Sequence, residues 1–245
     1  MPLATPLTHI FIDHSNMWGG ARAASRLKDP REPELSTRIR IWRLDQILGG
    51  KQVGVSTKIV SGGIPPGMEG VWTEYQKQGY DTQRLIRDDH WKELGVDHTI
   101  IGHMWKLLAM HRESPTRLVL ASGDGKQNEF NTSFIEVLRE VLTHDRYESW
   151  QVHLASFDWE YPNAQKVRSP TSTKMKTLID QSDRGMFINL TDHYDKVVFH
   201  KAWTPMKPKT VEPRVAADAA MRALAAPLNP DVRCRSISTT VGAER

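Results

Sequence analysis

Two kinds of segment alternate along this chain. Short apolar runs of strand length stand at "HIFI" (9–12), "VGVSTKIV" (53–60), "YDTQRLI" (80–86), "RLVLAS" (117–122), "WQVHLASF" (150–157) and "FINL" (187–190). Between them come stretches with helical spacing of apolar residues. Ile41, Trp42, Leu44, Ile47 and Leu48 form one, stopped by Gly49-Gly50. "MEGVWTEYQKQ" is a second, ended by Gly79, and "SFIEVLREVLTH" another. The strongest is "GVDHTIIGHMWKLLAMH", where Ile100, Ile101, Met104, Trp105, Leu107 and Leu108 recur at helical intervals. Trp42, Trp72 and Trp105 occupy helical positions and are expected in the core. The polar, Pro-containing "RLKDPREPELSTRI" (26–39) separates the first strand from the first of these helices.

Strands that alternate with helices predict an α/β three-layer sandwich around a mostly parallel central sheet. The pattern ends at Thr204. Beyond it Pro205, Pro208, Pro213, Pro227 and Pro230 recur, and the Ala-rich "VAADAAMRALAA" allows at most one isolated helix. Residues 8–203 are therefore expected to form the domain, and 204–245 a largely disordered tail.

Composition narrows the class. The chain has 245 residues, 39% of them hydrophobic, and no apolar run of membrane-spanning length. No membrane partner and no secretory leader are expected. The single cysteine, Cys234, excludes an internal disulfide framework and a cysteine-based zinc site, and fits an intracellular compartment, cytoplasmic or nuclear. The sequence pI of 9.2 suggests a polyanion partner at first sight. Most of that basicity sits in the tail: residues 1–203 carry a net charge of +1 and residues 204–245 a net charge of +3. A near-neutral body is no evidence for nucleic acid by itself.

Candidate chemistry comes from the acids. In open α/β sheets ligands bind beyond the carboxyl ends of the strands. Asp13 follows the first strand at that edge, and Asp124 in "SGDG" follows the strand at 117–122. A crossover helix leading into that strand starts at the same edge, which brings in Asp97. Ile101, Met104 and Leu108 follow Asp97 at helical intervals, so this acid shares the apolar face of its helix. A carboxylate turned toward the core costs several kcal/mol unless a hydrogen bond, a cation or a metal offsets it. Three acids at one rim suit a hard divalent cation, which takes oxygen ligands and can position water for in-line attack on a phosphodiester. Each acid also has an ordinary alternative: Asp97 as a helix cap, Asp13 as an acceptor for the turn before Asn16, Asp124 as an Asx turn.

"FIDHSNMW" (11–18), "LGVDHTIIGHM" (94–104) and "VLASGDG" (119–125) occur in the order found in the NYN family of PIN-like nuclease domains, and the chain resembles that family over about residues 8–200. The resemblance implies a PIN-like fold and Mg²⁺- or Mn²⁺-dependent endonucleolytic cleavage of RNA. It makes Asp13, Asp97 and Asp124 the catalytic, metal-binding carboxylates, with Asn16 supporting the first. Many members carry a second acid soon after the "SGD" acid. Here "GDGKQNEF" is longer, and Glu129 before Phe130 is the nearest counterpart, with Asn128 as a replacement or none at all. His14 stands where small residues are frequent and is expected to be a turn histidine without a catalytic role. Asp192, after "FINL", resembles an acid that follows the last strand in some members, and equally suits a cap for a helix "HYDKVVF".

For RNA contacts, "SFDWEYPNAQKVRSPTSTKMK" (156–176) mixes Trp159 and Tyr161 with Lys166, Arg168, Lys174 and Lys176, as single-strand binders do; an ordinary solvated loop explains it too. Lys126 beside the acids can approach a scissile phosphate or be a plain surface lysine. Arg22, Arg26, Lys28, Arg31, Arg38 and Arg40 form a second basic stretch, interrupted by Glu32 and Glu34. "SGGIPPG" lacks the spacing of a dinucleotide loop. Two other functions stay open: a non-catalytic RNA-binding or scaffold protein on the same fold, and a phosphatase with Asp13 as nucleophile. The latter chemistry wants an acid two residues on, where Ser15 stands. A homo-oligomer also stays open.

Overall fold

A computed structural model describes residues 6–52, 54–63, 69–84, 95–110, 114–123, 133–158 and 172–201. Asp124, Lys126, Asn128, Glu129, Lys166, Arg168 and the expected tail lie outside the described residues.

The elements run β1 (Leu7–Asp13), α1 (His14–Lys28), β2 (Thr37–Ile39), α2 (Ile41–Ile47), β3 (Val55–Gly62), α3 (Gly70–Lys77), β4 (Asp81–Arg84), α4 (Val96–Met110), β5 (Thr116–Ala121), α5 (Phe134–Thr143), β6 (Trp150–Ser156), α6 (Thr173–Asp180), β7 (Gly185–Asn189), α7 (Tyr194–Val197) and β8 (Val198–His200). Six strands form one parallel sheet in the order β4-β3-β1-β5-β6-β7. The expected three-layer α/β sandwich is therefore present. β1 and β5 read as continuous apolar runs because both faces of a central parallel strand are covered.

The two cores divide the strands by parity. Ile10, Ile12, Val60 and Val119 pack with Ala21 of α1, Leu44 of α2, and Trp72 and Tyr75 of α3. Phe11, Ile59, Leu118 and Leu120 pack with Ile100 and Met104 of α4, Val137 and Leu138 of α5, and Met175 and Ile179 of α6. From β1 the chain moves outward to β3 and β4, then returns through α4 to β5 on the other side of β1. The β1/β5 boundary is thus the point where the winding reverses, which is where open α/β sheets bind ligands.

Several local expectations change. Residues 14–28 form the helix α1, which the apolar pattern does not announce. Its inward face is His14, Met17, Trp18, Gly20, Ala21, Ala24 and Ser25, mostly small or polar, so its periodic signal is faint. Smallness is what the packing uses: a Cβ on Gly20 would stand 3.1 Å from Phe157. The polar stretch 26–39 closes α1 and supplies β2, which pairs antiparallel with β8. "HYDKVVF" is no single helix: one turn, α7, gives way to β8, because the β-branched Val198 and the aromatic Phe199 edge-pair with β2. The basic stretch 156–176 is not one loop, since its last residues enter α6. Trp72 is buried as expected, whereas Trp42 and Trp105 are 48% and 40% exposed. Each sits on the outer flank of a helix whose inward positions are filled by other residues.

Candidate active site

Successive strand residues point to opposite faces, so the side of the sheet taken by a rim residue follows from the one two positions back. Phe11, Ile59, Leu120 and Leu154 face the α4–α5–α6 layer. Two positions on stand Asp13, Ser61, Ser122 and Ser156. Asp13 is in register with Ser61, and Ala121 with Ala155, so these four side chains form a row along the carboxyl edge. Asn189 extends the row on β7 opposite Ser156. The one acid in the row is flanked by serines on both sides.

Asp13 is 3% exposed and caps α1. Its Oδ1 accepts the Asn16 backbone N–H at 3.0 Å, and its Oδ2 accepts the Ser122 hydroxyl at 3.1 Å. The Asn16 side chain reaches across the β1/β5 boundary, where its Oδ1 accepts the Gly123 N–H at 2.7 Å. Gly123 O in turn accepts the Ser172 N–H at 2.7 Å, at the start of α6. Asn16, the residue expected to support Asp13, stands between the two strand ends. It fixes the end of β5 against the Asp13 turn, and Asp124 is the next residue in the chain.

His14 is the first residue of α1 rather than a turn histidine, and it points into the core. Its Nδ1 is 3.1 Å from the Tyr75 hydroxyl, and its ring packs against Trp72 and Tyr75. Burial pushes the imidazole down to about 4, so it is neutral near pH 7. Burial, and after it the charge of Asp13, pushes the Tyr75 phenol up, which keeps its proton in place. Ser15 is held by the next strand: its Oγ accepts the Gly63 N–H at 3.1 Å. Gly62 permits this approach, since a Cβ there would meet Ser15 Oγ at 3.0 Å and His14 Cβ at 3.1 Å.

α4 leads into β5 and so starts at the carboxyl edge, on the same face as Asp13. Asp97 lies in its first turn, partly exposed, above the buried Ile101, Met104 and Leu108. It lies inside the helix rather than at the capping position before it. A carboxylate there is favoured by the helix dipole. Asp192 is exposed, and its Oδ1 accepts from Asn189 Nδ2 at 3.3 Å. That places it beside β7, three strand spacings or about 14 Å from β1.

One acid of this edge escapes the sequence reading. Asp158, two residues past Ser156, is 7% exposed and paired with Lys176 Nζ at 2.8 Å. Its backbone N–H donates to Asn189 Oδ1 at 3.2 Å. The signal was available, because Asp158 follows "HLASF" just as Asp13 and Asp124 follow their own strands. Lys176, expected as an RNA-contacting cation, is engaged by this acid.

Among the described residues, no three His, Cys, Asp or Glu side chains come together as a metal-holding group. The described part of the rim contributes Asp13 at the winding reversal, Asp97 on the adjacent helix and Asp158 two strands away. Its donor chemistry suits a hard cation: carboxylate oxygens beside hydroxyls, with the Ser61 and Ser156 hydroxyls buried and lacking a hydrogen-bond partner. No protein-family model matches the chain, and no curated protein matches it either.

Proposed function

We propose that the chain is a metal-dependent ribonuclease that hydrolyses RNA phosphodiester bonds endonucleolytically, with Mg²⁺ or Mn²⁺ held by Asp13, Asp97 and Asp124. The observation that carries this reading is the buried Asp13 carboxylate at the β1/β5 reversal, joined through Asn16 to Gly123, the residue before Asp124. Glu129 is the nearest counterpart of the further acid many NYN members carry, with Asn128 or no residue as the alternatives. A divalent cation bound there would lower the pKa of a water and offset charge on the phosphate. The chain's own residues supply the rest. Asn16 and Ser122 fix the orientation of Asp13 by donating to its two oxygens. Neutral His14 adds no cation beside it that would compete for the carboxylate. Hydrolysis forms a bond from a water oxygen to phosphorus and breaks one P–O ester bond, and the rim carboxylates are the proton acceptors at hand.

The test is calorimetric titration of Mn²⁺ into the full chain, wild type beside Asp13→Asn and Asp124→Asn, followed by cleavage assays on unstructured and structured RNA. Binding and cleavage lost in both folded variants support the reading. Undiminished cleavage by Asp124→Asn would sink it. A second reading, a non-catalytic RNA-binding protein on this fold, draws on the cationic aromatic surface described next. RNA binding in EDTA without cleavage in Mg²⁺ or Mn²⁺ would favour it.

A further inference from the structure

Trp42, expected in the core, stands instead on a face with unusual company. The Arg43 guanidinium lies 3.9 Å from the centroid of the Trp42 rings, and the tryptophan remains 48% exposed. α2 packs beside α7, α7 runs directly into β8, and β8 pairs with β2, which precedes α2 in the chain. There a second cation stacks on a second ring: Arg40 lies 5.2 Å from the Phe199 centroid. The Arg40 guanidinium donates to the carbonyls of Asp195, Lys196 and Val198 at 2.9, 3.3 and 2.8 Å. Those carbonyls hold it in place and leave its charge uncancelled. Arg38 is directly opposite Phe199 in the β2–β8 ladder, and Lys196 and Lys201 flank it.

Among the described residues, Arg38, Arg40, Arg43, Lys196 and Lys201 form no ion pair, so the five charges this face brings together are not cancelled by a neighbouring acid. Asp195, exposed beside Lys196, pairs with none of the five among the described residues. The face thus carries five cations on the short segments 38–43 and 196–201. Uncancelled cations interleaved with aromatic planes are what a single-stranded nucleic acid requires: charge for the phosphates, an exposed ring for an unpaired base. A duplex keeps its bases stacked and offers nothing to Trp42.

We infer that the α2/β2–β8 face is a binding surface for single-stranded RNA, separate from the acidic rim, with Trp42 as its stacking platform. The choice of RNA over DNA rests on the ribonuclease reading. The face is tied to the rim by α1: Trp18, in the second turn after the Asp13 cap, donates its Nε1–H to Thr37 O of β2 at 3.1 Å. A strand held here is thus held on elements packed against the helix that Asp13 caps.

The experiment is fluorescence anisotropy of a labelled oligouridylate with the full chain in EDTA, across a salt series. Trp42→Ala is expected to weaken binding roughly fivefold or more, the usual effect of losing a stacked base. Lys196→Ala combined with Lys201→Ala is expected to lower the slope of log K against log salt by about 1.4, as for two lost single-strand phosphate contacts. All three positions lie on the outside, so circular dichroism should show native folding, and Arg43→Ala provides a second, independent variant. Asp13→Asn should bind as the wild type does while losing cleavage, which separates this inference from the catalytic one. The inference is overturned if oligouridylate does not bind at low salt, if Trp42→Ala and Arg43→Ala bind within about twofold of wild type, or if polyglutamate displaces the RNA equally well from wild type and Trp42→Ala, which would mark the face as a site for acidic protein segments.

Discussion

Asn16 Oδ1 accepts the Gly123 N–H at 2.7 Å while the Asn16 backbone donates to Asp13 at 3.0 Å, so one residue couples the cap of α1 to the end of β5. The two strand ends belong to opposite windings of the sheet, and this side chain is a clasp between them. Removing it leaves the buried Gly123 N–H without its acceptor. Asn16→Ala is therefore expected to destabilise the fold by about 1–3 kcal/mol, the cost of an unsatisfied buried donor. Urea unfolding measures it. A loss below about 0.5 kcal/mol, the size of an ordinary surface substitution, would show that the clasp is immaterial.

Among the lysines, burial decides which ion pairs matter. Lys58 donates to Asp45 Oδ1 and to Gln78 O at 2.8 and 2.9 Å, and the Asp45 side chain is fully buried. Gly50 lies so close that a Cβ there would overlap Asp45 Oδ1 at 1.8 Å. Lys77 pairs with Glu74 on the surface, both side chains at least half exposed. Lys58→Met should cost about 3–5 kcal/mol because it leaves the buried Asp45 carboxylate with only the exposed Lys51 ammonium, 3.9 Å from its Oδ2. Lys77→Met should cost no more than about 1 kcal/mol. Equal losses in thermal or urea unfolding would refute this ordering.

The parallel sheet was legible in the sequence because its central strands are buried on both faces and so appear as unbroken apolar runs. α1 was not, because it fits close against the sheet with Gly20, Ala21 and Ala24, residues too small to mark a period. β2 and β8, three residues each, are too short to be read from periodicity, and their pairing spans the length of the domain. At the site, Asp13 and Asp97 were readable since an acid after an apolar run, or on an apolar helix face, breaks a pattern, whereas Asn16 came only from the resemblance to the NYN family. The serine row was unreadable: Ser61, Ser122 and Ser156 become neighbours only once the register is known. Trp42 was misread for a related reason, since spacing gives the period of a helix and leaves open which flank is covered.

Gly185 opens β7 against the end of α6, where a Cβ would stand 2.2 Å from Ile179 O. The obstacle is backbone, which cannot rotate away as a side chain can. Gly185→Ala is expected to destabilise by about 1–3 kcal/mol, as overpacking does. β7 is the far edge strand, three positions from β1, so RNA cleavage and Mn²⁺ binding by the folded fraction should not change. Altered metal affinity in this variant would mean that the sheet edge and the rim are coupled.

The last prediction concerns pH. His153 lies on β6 opposite Val119 of β5, half-buried. Burial, and then the positive charge of Arg117, lowers its pKa from the ordinary 6.5 of an imidazole to about 4. The unfolded chain therefore binds this proton more readily than the folded one between about pH 4 and 6.5. Stability rises with pH across that window, is fully present above it, and is lost as the pH falls through it. The slope from this residue is at most about 1.4 kcal/mol per pH unit, reduced by its remaining exposure. His14 acts in the same direction, its pKa also lowered to about 4. Urea unfolding in EDTA at stepped pH, wild type beside His153→Gln, isolates the term, because the glutamine keeps a polar side chain of similar reach and cannot titrate. The variant should show the shallower decline on acidification. Parallel curves would mean that His153 carries its proton equally well in both states, and that the sheet around it opens to water in acid before the domain unfolds.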